Sequence, residues 1–265
     1  MSEAAGAPRR LRVFLETRRT DSWWAFQLFT LLVLTAFVAY ATQRVFVDAH
    51  YEWGPYLSPF YSPVLFGDSR HALFGPKPEW WPSWAPFSPA LLILAIPAGF
   101  RFTCYYYRGA YYKAFWADPP ACAVGEPGLR GRRFRGEHRW PLILQNVHRY
   151  FLYLSVVVVG FLAYDVYLAT QFEDGFGIGV GTVLFAVNIV LIAGYTFGCH
   201  SMRHLLGGRR DVLPKSAIGR ACYQGCSRLN RRHMLFAWLS LFTVWSCDVY
   251  VRLLSMGVIR DIRIL

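Results

Sequence analysis

Cysteine and histidine are the residues of this sequence best suited to redox or metal chemistry, and they recur in a few short stretches. Cys104 and Cys122 stand in "AGFRFTCYYYRGAYYKAFWADPPACAV" (98–124), and His148 stands in "LILQNVHRYF". Cys199, His200 and His204 stand in "GYTFGCHSMRH", followed by Cys222 and Cys226, and His233 stands in "LNRRHM". Thiolate and imidazole are soft or borderline donors that suit zinc, haem iron and iron–sulfur clusters. Structural zinc favours short Cys-x₂₋₄-Cys knuckles, and only Cys222-x₃-Cys226 comes near that spacing. Haem b needs two facing histidines, which His148, His200, His204 and His233 are able to supply. A Rieske-type [2Fe–2S] centre needs two cysteines on one iron and two histidines on the other. Cys104 and Cys122 with two of the four histidines meet that need. Neutral imidazole raises the potential of such a centre, which suits it to take electrons from a soluble cluster and pass them to a quinone. A lone cysteine in an apolar helix is usually a small apolar residue, so the metal reading rests on convergence.

Convergence depends on the elements that carry these residues. The chain has 265 residues, 55% hydrophobic and 18% aromatic, with 17% charged and a net charge of +12. That is too apolar and too aromatic for an ordinary soluble domain. The basic excess reads as membrane topology and not as nucleic-acid binding, because Lys and Arg collect in cytoplasmic loops. Five segments are long enough to cross about 30 Å of hydrocarbon: 24–42, 89–107, 150–170, 178–199 and 234–256. The second contains Pro97 and Gly99, which predict a kink. The first apolar run is too long for a secretory signal and lacks a small-residue cleavage site after it. Trp23, Trp24, Trp80, Trp81 and Trp84 read as interfacial belts.

The tail to Asp21 holds 5 Lys and Arg, and the loops 108–149 and 200–233 hold 8 each. The loop 43–88 holds 2 beyond Arg44, the turn 171–177 none, and the tail after Met256 holds 2. The expected fold is therefore an all-α integral membrane protein, one membrane domain over 1–265. Its five-helix bundle has a cytoplasmic N-terminus and an outside C-terminus. The loop 43–88, rich in Pro, Gly and aromatics, is expected to cap the outer face. On this topology nine of the thirteen Cys and His residues gather at the inner face, leaving His50, His71, His138 and Cys247 elsewhere. Ionisable groups at membrane depth are functional by default. Arg101, Cys104 and Arg108 share a helical face, with Tyr105, Tyr112 and Trp116 close to it. Aromatics there form a slot for a flat quinone ring, and Arg101, Tyr105, Arg108 and Arg149 are the candidate donors to its carbonyls. Asp248 and Arg252, one turn apart, are expected to form a structural ion pair near the outer face. Asp165 is a second intramembrane acid. No internal repeat is visible, which argues against an inverted-repeat transporter.

The segments "FRFTCYYYRGAYYKAFW", "DPPACAV", "LILQNVHRYF", "CHSMRHLLGG" and "LNRRHM" resemble the single membrane subunit of actinobacterial succinate dehydrogenase, the type with one five-helix anchor. The resemblance covers nearly the whole chain, with little added by 43–88 and the tails. It implies a multi-pass protein of the bacterial plasma membrane that docks an FAD-bearing flavoprotein subunit and an iron–sulfur subunit on the cytoplasmic face. It also implies reduction of a quinone, menaquinone or ubiquinone, with succinate oxidised on another chain. Related anchors hold haem b, whereas this type implies a membrane-embedded Rieske-type [2Fe–2S] cluster. Carried onto this sequence, Cys104 and Cys122 are the thiolate candidates and His148 and His233 the first imidazoles. His204 is the main rival, with Cys199 and His200 behind it. Cys222 and Cys226 lie outside the family's motifs.

Overall fold

The computed structural model describes residues 20–116, 142–207 and 217–265. Among these residues four helices are long and apolar enough to cross a membrane: Trp23–Phe46, Ile143–Leu168, Val180–Phe197 and His233–Ser255. They overlap four of the five expected segments, with bounds that differ by up to seven residues. The first is α1 (Trp23–Phe46). Most of its large apolar side chains, Leu32 and Val38 among them, are exposed on the bundle surface, as lipid-facing side chains are.

The expected segment 89–107 is not one helix. It divides into α2 (Pro89–Ile93), α3 (Ala95–Phe102) and α4 (Tyr105–Trp116). Pro97 has no N–H to offer the Ile93 carbonyl, which interrupts the ladder around Leu94. The second break follows from Thr103, whose N–H and hydroxyl both turn back to the Gly99 carbonyl, at 3.0 and 2.7 Å. Such back-bonding by Ser and Thr competes with helix propagation. Cys104 falls in the break, with its N–H on the Arg101 carbonyl at 3.2 Å.

A 3₁₀ turn (Leu142–Val147) leads into α5 (His148–Leu168). A short hairpin of β3 (Gln171–Phe172) and β4 (Gly175–Phe176) then turns the chain into α6 (Val180–Phe197). Two shorter helices, α7 (His200–Gly207) and α8 (Ala217–Asn230), precede α9 (His233–Ser255). α6 packs along both α5 and α9. Close approach of α3 to α5 depends on Gly99, where any Cβ would run into the Phe151 ring. Gly99→Val is expected to destabilise the subunit by at least the 1–3 kcal/mol typical of overpacking. Thermal denaturation of the purified complex measures it, and an unchanged midpoint would refute the packing role.

The opposite end of the bundle is tied together by the loop 43–88. Its antiparallel pair β1 (Glu52–Trp53) and β2 (Tyr56–Leu57) and a core of Leu57, Phe60, Tyr61 and Val64 sit on Ala90, as a cap should. The C-terminal tail docks at the same end, where Tyr56 and Tyr250 donate to Asp261 at 2.6 and 2.5 Å. Ile178 N–H also donates to the Leu265 carbonyl at 2.9 Å. The Asp248–Arg252 pair is present and buried, at 2.8 Å. Asp248 also accepts from Tyr40 at 2.5 Å and from Ser58, while Arg252 donates to the Ala49 carbonyl at 2.6 Å. Asp165 is buried and accepts from Ser62 of the cap. Asp248→Ala is expected to cost about 3–5 kcal/mol, because it strands a buried guanidinium, whereas the apolar pair Asp248→Leu with Arg252→Met should cost less. Detergent stability of the complex reads both, and equal loss in the two variants would remove the ion pair from the account.

Candidate metal centre

Four chain segments bring soft ligands together at the end of the bundle away from the cap. Cys104 comes from the break between α3 and α4, and His148 from the first residue of α5. Cys199 comes from the link between α6 and α7, and His233 from the first residue of α9. Cys104, His148 and Cys199 are buried and His233 is half-buried. They stand as two pairs. His148 Nε2 lies 3.0 Å from Cys199 Sγ, and His233 Nε2 lies 3.6 Å from Cys104 Sγ. The pairs lie within electrostatic range of one another, His148 of His233 and Cys199 of Cys104. Among the described residues no three Cys, His, Asp or Glu side chains converge as a ready single-ion site.

Aromatic rings hold the two imidazoles in place. Phe100 stacks on His148 with centroids 4.6 Å apart and planes 4° from parallel. Tyr195 stacks on His233 at 4.9 Å and 14°. Phe100 and Tyr195 meet edge to face at 5.4 Å, so the four rings form one connected group. The tautomer of His148 follows from its neighbour. Thr103 Oγ1 lies 2.8 Å from His148 Nδ1 and spends its single proton on the Gly99 carbonyl. The hydroxyl oxygen therefore accepts from Nδ1–H, which leaves the Nε2 lone pair facing Cys199. An outer hydrogen bond of this kind orients metal-ligating histidines. His233 Nδ1 is buried with no hydrogen-bond partner among the described residues.

The other expected site residues are placed as follows. Cys122 lies outside the described residues. His204 is exposed on α7 and pairs with His200, ring centroids 4.5 Å apart, and His200 lies within electrostatic range of both His148 and His233. Burial, with help from His204 and Arg203, holds His200 below the ordinary imidazole range. Arg101 turns inward: Nη1 donates to Tyr107 Oη at 2.7 Å and the Ala237 carbonyl at 3.1 Å, and Nη2 donates to Ser240 Oγ at 2.9 Å. Arg108 lies over the rings of Tyr105 and Tyr112, at 5.3 and 6.0 Å. Tyr105 in turn approaches His200, ring centroids 6.1 Å apart. Arg149 is exposed on the first turn of α5.

By residue type and family resemblance Cys199 stands behind Cys122 as a thiolate candidate, and no motif singles out Thr103, Phe100 or Tyr195. A signal for Cys199 was available: α5 and α6 are helices of 21 and 18 residues joined by a short hairpin, so the residue that follows α6 returns to the depth of the residue that opens α5. Two thiols and two imidazoles, one imidazole oriented by Thr103 and the other with an idle buried nitrogen, fit the donor set of a Rieske-type centre.

Comparison with known proteins agrees with this architecture. The family described as actinobacterial succinate dehydrogenase subunit SdhC matches residues 25–257. A chain of the Mycobacterium smegmatis Sdh1 complex in the apo form is 42% identical, with a TM-score of 0.84, and the match covers 98% of each chain. No curated protein matches. The chain is a multi-pass membrane protein and belongs to the actinobacterial SdhC family, the membrane subunit of succinate dehydrogenase.

Proposed function

We propose that this subunit takes electrons from the iron–sulfur subunit of succinate dehydrogenase at the inner membrane face. It passes them to a quinone through a Rieske-type [2Fe–2S] centre held by Cys104, Cys199, His148 and His233. The observation that carries this reading is the pair of Cys–His contacts, His148 with Cys199 and His233 with Cys104, drawn from four chain segments to one depth. Bound there, the centre supplies a one-electron carrier whose potential is raised by its neutral imidazole ligands. This chain's own residues hold it. Thr103 sets the His148 tautomer, Phe100 and Tyr195 fix the ring planes, and the packed helix ends exclude water. A haem b in place of the cluster would use only His148 and His233 and leave both buried cysteines without a role.

The quinone headgroup, of menaquinone or ubiquinone, is assigned to the inner-face group of Tyr105 and Arg108, where a cation and hydroxyl donors lie among aromatic rings. Arg101 lies behind this group with its donors engaged, and exposed Arg149 is left at the margin. The same reading takes the segment from Pro89 to Trp116 as the second of five crossings. Its three helices would together span about 40 Å even with two bends. The N-terminus is then cytoplasmic, the C-terminus outside, and residues 1–265 one membrane domain of the bacterial plasma membrane. The two basic loops face the flavoprotein and iron–sulfur subunits, and no nucleic acid is a partner.

Iron, acid-labile sulfide and haem analysis of the purified complex tests the centre. Iron and sulfide beyond the clusters of the soluble subunit, with a Rieske-like EPR signal, are expected. A haem Soret band without that excess would replace the cluster with haem b.

A further inference from the structure

Two arginines that turn into the bundle, Arg252 and Arg101, are treated differently. Arg252, at the capped end, has the carboxylate of Asp248 at 2.8 Å. Arg101, in the last turn of α3, has none among the described residues. Among the described residues each group it touches is neutral: the Tyr107 hydroxyl, the Ala237 carbonyl, the Ser240 hydroxyl and the Tyr195 ring, 4.7 Å below its Cζ. Tyr107 is itself committed, donating to the same Ala237 carbonyl at 2.6 Å. A guanidinium inside a membrane bundle without a counter-charge is costly. The position is also locked, since three hydrogen bonds, one to α4 and two to α9, fix the charge in one place.

That place is beside the Cys–His pairs. The Tyr195 ring beneath Arg101 is the ring stacked on His233, and Arg101 lies within electrostatic range of His233. Cys104 follows Arg101 by three residues and hydrogen-bonds its carbonyl at 3.2 Å. The ligands bring negative charge with them. A [2Fe–2S] centre with two thiolates and two neutral imidazoles is neutral overall when oxidised and singly negative when reduced. The donated electron therefore adds a full negative charge close to a fixed positive one, with no proton required. In the low dielectric of the bundle that attraction is only weakly screened.

We propose that Arg101 is the fixed counter-charge of this centre, a positioning residue that raises its reduction potential, and not a donor to the quinone. The inference rests on the [2Fe–2S] reading above. The test is a redox titration, followed by EPR, of the signal belonging to this subunit in the whole purified complex, comparing Arg101→Gln, Arg101→Lys and Ser240→Ala with the parent. Arg101→Gln removes the charge and should lower the potential by an amount equal to a tenfold or greater change in the one-electron equilibrium, 59 mV per factor of ten. Arg101→Lys keeps the charge and should stay close to the parent. Ser240→Ala, which removes one hydrogen bond while leaving the charge, should move the potential less than Arg101→Gln. An unchanged potential in Arg101→Gln, with a raised KM for quinone, would overturn the inference and return Arg101 to the quinone. An unchanged potential with only lower thermal stability would overturn it in favour of a structural role, or of pairing with a carboxylate of another subunit. A parent complex without the EPR signal defeats the [2Fe–2S] reading itself, which separates the two failures.

Discussion

Replacing His148 and His233 together by alanine is expected to abolish quinone reduction by the succinate dehydrogenase complex while succinate oxidation by a soluble artificial acceptor continues. The separation follows from where the chemistry sits. Succinate is oxidised on another chain, so the artificial acceptor draws electrons before they reach this subunit. The two imidazoles are contributed by helices whose first residues they are, and each is paired with a different cysteine. Removing both leaves two thiols and, among the described residues nearby, only the His200 imidazole, which packs against His204 on α7. The loss should exceed the roughly 10–100-fold that outer hydrogen-bond partners alone cost a metal site. The Rieske-like EPR signal should vanish in step. Full quinone reductase activity in a complex that assembles normally would refute these two ligands. Thr103→Val in the same assay is a gentler form of the test, because it removes only the group that orients His148.

The second large effect concerns the thiolates. Cys199→Ser is expected to remove the iron and sulfide attributed to this subunit, along with quinone reduction, while Cys122→Ser in the same background retains both. Cys199 Sγ lies 3.0 Å from His148 Nε2 and is buried, and its partner imidazole presents a lone pair in that direction. Serine keeps the size but is a poor ligand for cluster iron, which prefers sulfur, so the change reads on ligation more than on packing. Iron, sulfide and EPR measurements on both variants decide the matter. The reverse outcome, loss in Cys122→Ser and retention in Cys199→Ser, would restore the pairing suggested by the family resemblance. Neither result depends on Cys222 or Cys226, which sit on α8.

Much of the scaffold was legible in one dimension. Four of the five expected crossings appear, with bounds that differ by up to seven residues, because a run of apolar side chains about twenty long has few alternatives to a spanning helix. The kink at Pro97 was legible too, since a missing N–H is a local fact. The second break was not. Thr103 ends α3 through a bond to Gly99 that competes with the helix by a small margin, and residue type alone does not settle such competitions. The Asp248–Arg252 pair was expected from i, i+4 spacing, but the Tyr40, Ser58 and Ala49 groups that complete it come from far along the chain.

The centre shows the same division. The sequence by itself determined that most cysteines and histidines stand at the ends of apolar segments and that His148 and His233 open helices. Hydropathy and charge asymmetry depend only on order along the chain. The tertiary structure alone decided that Cys199 meets His148 across 51 residues, that Cys104 meets His233 across 129, and that Arg101 spends its donors on α9. Those pairings depend on the rotation of each helix about its axis and on where α3 breaks, which are set by how side chains such as Phe151 fill the space beside Gly99. Close packing admits few such arrangements, and spacing along a single helix carries no record of which one its neighbours impose.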